Sequence, residues 1–233
     1  MFALILAGGK GERLRPLTDS LPKPMVPVCG KPILEHQVTW LKAGGVTDVV
    51  FLGGYRWEAI KDHFGAGKDF GINAHYSVED SPLGRVGAIK AGFPMIPDTE
   101  NTVAVLNGDV LTAETPANIS AQHQERKDAN ESHLATIMVV PMVSPYGLVE
   151  MDDTGTVTGF LEKVDMQHRI NPGIFLCERS KPDESLQLGH HATDIVPWPV
   201  APGQILAVQP RAFWRSVDSL EDLKKADDNV GNR

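Results

Sequence analysis

A glycine-rich segment with clustered cations lies near the start of the chain, and its residue types suit the binding of a phosphorylated ligand. The segment reads Leu6-Ala7-Gly8-Gly9-Lys10-Gly11-Glu12-Arg13-Leu14-Arg15-Pro16-Leu17-Thr18. Glycines let backbone N–H groups approach an anion closely, and the lysine and two arginines add positive charge. The segment lacks the third glycine of G-x-G-x-x-G, and it lacks the Gly-Lys-Ser/Thr of a P-loop. We therefore expect a different kind of triphosphate-binding loop.

A single lysine follows in a proline-rich context, Leu21-Pro22-Lys23-Pro24-Met25-Val26-Pro27-Val28. The prolines favour an extended backbone around it. A lysine held in this way can be aimed at a phosphate as a fixed point charge. The alternative interpretation is a surface lysine in a loop, and the glycine-rich segment just upstream favours the phosphate.

The elements that must position these residues alternate between strands and helices. Short apolar runs predict strands over residues 2–6, 46–52 and 103–106, and a further strand is predicted over residues 72–76. Helices are predicted over residues 32–43, 57–64, 86–93 and 116–127, and Leu34, Val38 and Leu41 form the buried stripe of the first. This alternation predicts an α/β fold with a Rossmann-like, doubly wound, mostly parallel sheet.

The second half of the chain no longer shows the alternation of strands and helices. It predicts short strands over residues 134–140, 148–151, 157–161 and 174–176, and we expect them to be antiparallel additions to the same sheet. Residues 178–203 are predicted to be loop-rich. The pair His190-His191 lies there and is interpreted as part of the loop, because no third metal ligand is spaced nearby. Residues 220–226 predict a last short helix.

Composition excludes several classes of protein. The 233 residues carry a net charge of −8, which argues against a nucleic-acid-binding surface. No run of 18 apolar residues occurs, so no membrane-spanning helix is expected, and the apolar start is too short for a signal peptide. Cys29 and Cys177 provide neither a disulfide framework nor a metal spacing. Both are expected to be buried, in a cytoplasmic protein.

Three motifs, in order, carry a resemblance to a known family. They are the glycine-rich segment, the Pro22-Lys23-Pro24 segment and Gly30-Lys31-Pro32-Ile33-Leu34. Together they resemble the sugar-1-phosphate nucleotidylyltransferases. The resemblance covers most of the chain, because it continues through Pro82-Leu83-Gly84, Gly87-Ala88, Asn107-Gly108-Asp109, Tyr146-Gly147, Phe160-Leu161-Glu162-Lys163, Asn171 and Gly173.

The resemblance implies a definite reaction. The phosphate of a sugar 1-phosphate would attack the α-phosphorus of a nucleoside triphosphate in line, and pyrophosphate would leave. Arg13 would bind the triphosphate, and Lys23 would neutralise charge where the two phosphates meet. Asp109, at the carboxyl edge of the sheet, would complete the catalytic residues and hold Mg²⁺.

The resemblance also implies the other binding residues and one domain over residues 1–233, with no β-helix domain. Residues 1–112 would mainly bind the nucleotide, and residues 113–233 mainly the sugar phosphate. The nucleotide-binding residues would be Leu6, Ala7, Gly8, Gly9, Lys10, Gly11, Glu79, Pro82, Gly84, Gly87, Asn107 and Gly108. The sugar-phosphate-binding residues would be Gly147, Glu162, Lys163 and Asn171.

The second metal ligand is ambiguous in the sequence. Many members carry a W-x-D-x-G-T block, whereas this chain reads Trp214-Arg215-Ser216-Val217-Asp218-Ser219. A strict alignment places Ser216 at the ligand position. A pattern like that of the glucose-1-phosphate cytidylyltransferases places Asp218 there, and we favour Asp218 because two carboxylates hold Mg²⁺ most simply.

The nucleobase is the other ambiguity. The segment from Ser77 to Pro82 resembles the mannose-1-phosphate guanylyltransferases, and a carboxylate such as Glu79 can accept both N–H donors of the Watson–Crick edge of guanine. The C-terminal block resembles the cytidylyltransferases instead. We therefore expect GTP, with CTP as the alternative.

Two rival functions are weaker. A molybdopterin guanylyltransferase shares the Leu-Ala-Gly-Gly start but is not expected to carry the Phe160-Leu161-Glu162-Lys163 motif. An inactive regulatory subunit would be free to lose Arg13, Lys23 or Asp109, and this chain keeps all three. The expected partners are a nucleoside triphosphate and a sugar 1-phosphate, with neither nucleic acid nor membrane, and a homodimer is left open.

Overall fold

The computed structural model describes residues 1–144, 146–178, 203–210 and 212–231. Its strands, in chain order, are β1 (Phe2–Ala7), β2 (Pro27–Val28), β3 (Lys31–Pro32), β4 (Asp48–Gly53), β5 (Asn73–Val78), β6 (Thr102–Asn107), β7 (Val110–Thr112), β8 (Ala135–Met138), β9 (Val140–Val143), β10 (Leu148–Met151), β11 (Val157–Leu161), β12 (Asp165–Ile170), β13 (Ile174–Glu178), β14 (Ile205–Val208) and β15 (Trp214–Ser216). Its α-helices are α1 (Ile33–Ala43), α2 (Glu58–Phe64), α3 (Gly84–Gly92), α4 (Pro116–Ala129) and α5 (Leu220–Gly231).

Seven strands form the main sheet in the order β14-β8-β13-β6-β1-β4-β5. The pairs β6–β1, β1–β4 and β4–β5 are parallel, and β13 runs antiparallel to both of its neighbours. The sheet is therefore mixed and mostly parallel, which confirms the predicted fold class. The parallel pairs bring the carboxyl ends of four adjacent strands to one edge.

Side chains on both faces of the central strand β1 are buried, as its continuous apolar run predicts. Along β1, Ala3 and Ile5 join a cluster with helices α1, α2 and α4 on one face. Phe2 and Leu4 join a second cluster with α3 on the other face. The predicted stripe of α1 is confirmed, because Leu34, Val38 and Leu41 are all buried.

A third apolar cluster lies beside the loops at the edge of the sheet. It joins Leu14 and Val26, which flank the Lys23 segment, to Val217 and Ala226 near the end of the chain. The antiparallel pair β7–β15 supports the same contact. The C-terminal segment is thereby packed against the first thirty residues.

Two strand predictions need correction. Strands β10 and β11 lie where predicted, but they pair only with each other as a separate two-stranded sheet in the described part of the chain. The run predicted over residues 134–140 divides into β8 in the main sheet and β9, which pairs with β12. The residue pattern predicts where strands lie, but it does not identify the strand with which each one pairs.

The prediction that both cysteines are buried is half wrong. Cys177 is buried in β13, whereas Cys29 is exposed in the turn between β2 and β3. Most of the predicted loop, residues 179–202 with His190-His191, lies outside the described residues. Among the described residues, none of the helices has the length and apolar character needed to cross a membrane.

Candidate active site

A cavity of about 680 Å³ opens where four parallel strands end. Strand β1 contributes the glycine-rich loop, β6 contributes the turn at Asp109, β4 contributes Tyr55, and β5 contributes Glu79. The residues that line the cavity are Leu6, Gly8, Gly9, Lys10, Lys23, Pro24, Leu52, Gly54, Tyr55, Glu79, Asp80, Ser81, Pro82, Gly84, Arg85, Ala88, Asn107, Gly108 and Asp109.

The glycine-rich loop packs directly against the segment that carries Lys23. Gly11 has a φ of +64°, and a Cβ atom there would lie 2.7 Å from the Cβ of Lys23. Its carbonyl accepts a hydrogen bond from the Thr18 hydroxyl at 2.9 Å. Gly9, by contrast, has open space around the position of a Cβ atom. The loop is thus tightly packed at one glycine and open toward the cavity at another.

The turn between β6 and β7 places Asp109 beside the glycine-rich loop. The Gly108 N–H donates to the Leu6 carbonyl at 2.9 Å, and a Cβ atom on Gly108 would lie 2.5 Å from that same oxygen. Close approach of the two backbones therefore requires a glycine here. Asp109 is fixed from the other side, because its carbonyl accepts the Val217 N–H at 2.9 Å.

Lys23 is the centre of a charged cluster. Its Nζ lies 2.5 Å from Asp109 Oδ2 and 2.7 Å from Asp218 Oδ1. Arg13 also reaches Asp218 Oδ1, at 2.7 Å. The structure thereby brings together four residues from three distant parts of the chain. All four carry charges suited to binding phosphates or a metal ion.

The structure places Asp218, not Ser216, beside Asp109 and Lys23. The Ser216 hydroxyl donates to Asp218 Oδ2 at 2.6 Å. Burial opposes ionisation of Asp218, but the hydrogen bonds from Lys23 and Ser216 outweigh it and hold the pKa of this carboxyl below its usual range. Asp218 is therefore a charged acceptor next to Lys23, and Ser216 orients it.

The donor set suits a Mg²⁺ ion. Asp109 Oδ1 is buried and accepts no hydrogen bond from the described residues. Asp109 Oδ2 accepts a hydrogen bond from Lys23, which also donates to Asp218. No cluster of three or more His, Cys, Asp and Glu side chains able to hold a metal occurs in the described part of the chain. Mg²⁺ fits such a pair, because it binds to one or two carboxylates and takes its other ligands from phosphates and water.

Glu79, which lines the cavity, holds the turn that follows strand β5. Its Oε2 accepts the Leu83 N–H at 2.9 Å. Its Oε1 lies so close to the backbones of Gly8 and Gly54 that a Cβ atom on either glycine would be 2.8 Å from it. One carboxylate oxygen is thus engaged by the turn, and the other lies at the end of the glycine-rich loop.

The residues expected to bind the sugar phosphate do not line this cavity. Gly147 directly precedes β10 and Glu162 directly follows β11, so the two lie close together at the open end of the hairpin, and Lys163 follows Glu162 with a φ of +53°. The charge of Lys163 contributes to lowering the pKa of Glu221, after the larger effect of the hydrogen bond from Lys225. Asn171 accepts the Gly173 N–H at 2.8 Å, and the Gly173 carbonyl accepts the Asn107 N–H at 2.8 Å.

Most residues expected to bind the nucleotide do line the cavity, and three do not. Ala7 is buried in β1, Gly87 packs against Leu83, and Gly11 packs against Lys23. Sequence reasoning missed Tyr55, whose N–H donates to the Gly8 carbonyl at 3.2 Å and whose hydroxyl donates to the Thr18 carbonyl at 3.3 Å. The sequence contains a signal for Tyr55, because this residue follows Gly53-Gly54, which ends a predicted parallel strand at the same edge of the sheet.

The family model described as nucleotidyl transferase matches residues 2–231 of the chain. The chain belongs to the nucleotidyl transferase family. The match includes the glycine-rich loop, the Lys23 segment, the Asp109 turn and the block around Asp218. The charged cluster around Lys23 therefore lies within the region that matches the family model.

Curated relatives of this nucleotidyl transferase family member include guanylyltransferases. The chain is 32% identical over 230 residues to the mannose-1-phosphate guanylyltransferase of Mycobacterium tuberculosis, covering 95% of this chain and 62% of that protein. It is 34% identical over 232 residues to the mannose-1-phosphate guanyltransferase of Neurospora crassa, covering 96% and 62%. The chain thus spans about three fifths of the length of these relatives.

A solved structure shows the same fold. A protein assigned as a glucose-1-phosphate thymidylyltransferase from Bacillus anthracis superposes with a TM-score of 0.77 at 22% identity. The superposition covers 98% of this chain and 94% of that one. At this identity the likeness concerns the fold alone.

Proposed function

We propose that this protein transfers a nucleotidyl group from a nucleoside triphosphate, with GTP favoured, to a sugar 1-phosphate. The observation that carries the proposal is the Lys23 amine between Asp109 and Asp218, beside a glycine-rich loop. This arrangement offers a fixed cation and two carboxylates at a cavity of about 680 Å³, large enough for a nucleotide.

The reaction needs no covalent nucleophile on the protein. A phosphate oxygen of the sugar 1-phosphate attacks the α-phosphorus in line, the bond to the β-phosphate breaks, and pyrophosphate leaves with the electron pair. Arg13, which is largely exposed, swings from Asp218 to the triphosphate and the leaving pyrophosphate. Lys23 neutralises the charge where the two phosphates meet. The protein thus acts by positioning and electrostatics.

Asp109 and Asp218 would hold Mg²⁺, the cofactor that we propose. The bound ion would neutralise phosphate charge and orient the triphosphate. Lys23 donates a hydrogen bond to each carboxylate, and its charge would be available to the phosphates when the carboxylates hold the ion. The orphaned Asp109 Oδ1 supports this assignment.

The two halves of the chain would divide the substrates between them. Residues 1–112 would bind the nucleotide through the cavity, and residues 113–233 would bind the sugar phosphate through Gly147, Glu162, Lys163 and Asn171. The contact of Asn107 with Gly173 supports this division, because it joins the Asp109 turn to the Asn171 segment. A cytoplasmic location is a further prediction, and a homodimer stays open.

The choice of base and sugar rests on the relatives and on Glu79. The relatives from Mycobacterium tuberculosis and Neurospora crassa are mannose-1-phosphate guanylyltransferases by name. We therefore propose GTP and mannose 1-phosphate as the first pair of substrates. Glu79 Oε1, which lies beside Gly8 and Gly54 in the lining of the cavity, would accept N–H groups of guanine. CTP is the alternative base.

The proposal is tested by incubating the protein with each of five nucleoside triphosphates, Mg²⁺ and a panel of sugar 1-phosphates. Release of pyrophosphate and formation of the NDP-sugar are both measured. We expect the highest kcat/KM with GTP, and we expect the Asp109→Asn variant to be nearly inactive under the same conditions. No turnover with any pair would reject the proposal in favour of a subunit that keeps the fold without the activity.

A further inference from the structure

Gln37 is a buried polar side chain on the sheet-facing side of α1, directly under the turn that carries Asp109. It is 3% exposed. Its Nε2 donates to the Asn107 carbonyl at 2.7 Å and to the Val110 carbonyl at 2.8 Å. Both acceptors are carbonyl oxygens, so only the NH₂ end of the amide can make these contacts. One side chain therefore holds the backbone on both sides of Asp109.

The rest of the turn is held by other parts of the chain. The Gly108 N–H bonds to Leu6 in β1, and the Asp109 carbonyl accepts the Val217 N–H. The Asn107 N–H bonds to the Gly173 carbonyl. The backbone is therefore fixed from several sides, while Asp109 Oδ1 accepts no hydrogen bond from the described residues. Such a turn presents a free carboxylate oxygen in a set position.

Packing alone does not explain a glutamine at this position. Its neighbours in α1, Leu34, Val38 and Leu41, are buried apolar residues. Gln37 Oε1 is buried and accepts no hydrogen bond from the described residues, which is unfavourable. An apolar side chain of similar size would avoid that loss. The two bonds to the Asp109 turn are what the glutamine provides instead.

We propose that Gln37 is a positioning residue for Asp109, which sets the carboxylate for Mg²⁺ and the triphosphate. The inference rests on the proposed function, because it assumes that Asp109 binds the metal. A displacement of a catalytic group by about 1 Å lowers a rate by about 100-fold. Loss of the two hydrogen bonds from the Gln37 side chain frees the carbonyls on either side of Asp109. Asp109 can then be displaced in this way.

Two substitutions of Gln37 test the role. Gln37→Met keeps an unbranched side chain of similar length and removes both donors. Gln37→Glu keeps the shape but sets a carboxylate against two carbonyls, and only its protonated form donates one bond. We expect both variants to lower kcat by about 10- to 100-fold at neutral pH. The activity of Gln37→Glu relative to wild type rises as the pH falls, whereas that of Gln37→Met stays constant.

A binding measurement separates positioning from activity and from folding. Calorimetric titration with Mn²⁺, as a substitute for Mg²⁺, is expected to show at least 10-fold weaker binding to both Gln37 variants. Val38→Ala, a buried change at the next position of α1, lowers the melting temperature but keeps the wild-type affinity for Mn²⁺.

Wild-type kcat and Mn²⁺ affinity in both Gln37 variants would overturn the positioning role, as would an equal loss of affinity in Val38→Ala. A wild-type protein without nucleotidyl transfer would reject the proposed function separately. The Mn²⁺ titration would still decide whether Gln37 positions Asp109.

Discussion

Asp109 and Asp218 meet at one atom, the Nζ of Lys23, which lies 2.5 Å from the first carboxylate and 2.7 Å from the second. Two carboxylates so close together repel each other unless a cation lies between them. Lys23 therefore stabilises the arrangement before substrates bind. With the proposed Mg²⁺ held by Asp109 and Asp218, the same amine would be available to neutralise phosphate charge.

Lys23→Ala is expected to lower kcat by about 10²- to 10³-fold, because one partner of the transition-state charge is lost. Lys10→Ala, at the other lysine that lines the cavity, is expected to raise KM for the triphosphate with a smaller effect on kcat. Steady-state kinetics of both variants, with circular dichroism as the check on folding, provide the comparison. Near-wild-type turnover in Lys23→Ala would contradict the assignment.

Asp218→Asn is expected to raise the Mg²⁺ concentration needed for half-maximal activity, as is Asp109→Asn, because each removes a charged ligand. Ser216→Ala removes the hydrogen bond to Asp218 Oδ2 and leaves the carboxylate in place. Its Mg²⁺ requirement should stay close to that of wild type. The measurement is activity against Mg²⁺ concentration. A silent Asp218→Asn together with a strong Ser216→Ala effect would assign the ligand position to Ser216.

Gly11→Ala is expected to destabilise the protein by about 2 kcal/mol, since alanine disfavours the left-handed backbone and its Cβ would collide with Lys23. The corresponding fall in melting temperature is about 4–8 °C. Gly9→Ala, where a Cβ meets open space, is the matched control and should leave the melting temperature within about 2 °C. Equal melting temperatures for the two variants would show that the contact of Gly11 with Lys23 is dispensable.

Glu79→Gln is expected to reduce the preference for GTP over CTP by about 10- to 100-fold in kcat/KM, since an amide group would face the N–H donors of guanine. The variant can keep the turn, because an amide oxygen still accepts the Leu83 N–H. Asp80→Asn, which also lines the cavity but is exposed, is the control and should leave the ratio unchanged. Identical ratios in the wild type and both variants would exclude a carboxylate that reads the base.

Acid is expected to destabilise the protein through a buried cluster far from the site. His123 donates to or accepts from Thr136 and contacts Glu178, and His133 contacts His123 at 3.3 Å. Burial opposes ionisation of Glu178, but hydrogen bonds from His123, Lys127 and Thr102 outweigh it and lower the pKa of Glu178 to about 2. Burial and the charge of His123 lower the pKa of His133.

Both groups bind protons more readily in the unfolded chain, so the free energy of unfolding falls as the pH falls. The loss due to His133 begins below about pH 6.5, and the loss due to Glu178 begins below about pH 4.5. The free energy of unfolding is measured by urea titration between pH 7.5 and 4, with tryptophan fluorescence as the signal. His133→Gln should flatten the curve between pH 6.5 and 5. A wild-type stability that is constant over this range would contradict the prediction.

The residue pattern predicts the first half of the sheet and one wall of the site. Apolar runs that end in glycine locate β1, β4 and β6 to within a few residues, because burial on both faces leaves a local record in residue type. The glycine-rich loop and Asp109 directly follow such runs. Parallel strands in an α/β fold end at one edge, so their meeting was predictable as well.

Long-range contacts select the side chain that joins Asp109. Ser216 and Asp218 lie two residues apart, and the alignment of motifs allowed either. The pairing of β15 with β7, together with burial of Val217, turns Asp218 toward Lys23 and leaves Ser216 as its hydrogen-bond donor. The register of strand pairing and the burial of Val217 depend on residues far away in the sequence. The local residue pattern therefore does not predict them.

The second half of the chain shows the same limit. Strands β10 and β11 lie where the sequence predicts short strands, but their separation from the main sheet was not predictable. Gln37 is a further example, because the sequence shows a polar residue in an apolar helix face and no partner. Its partners, the carbonyls of Asn107 and Val110, are about 70 positions away, and only folding brings them within hydrogen-bond distance.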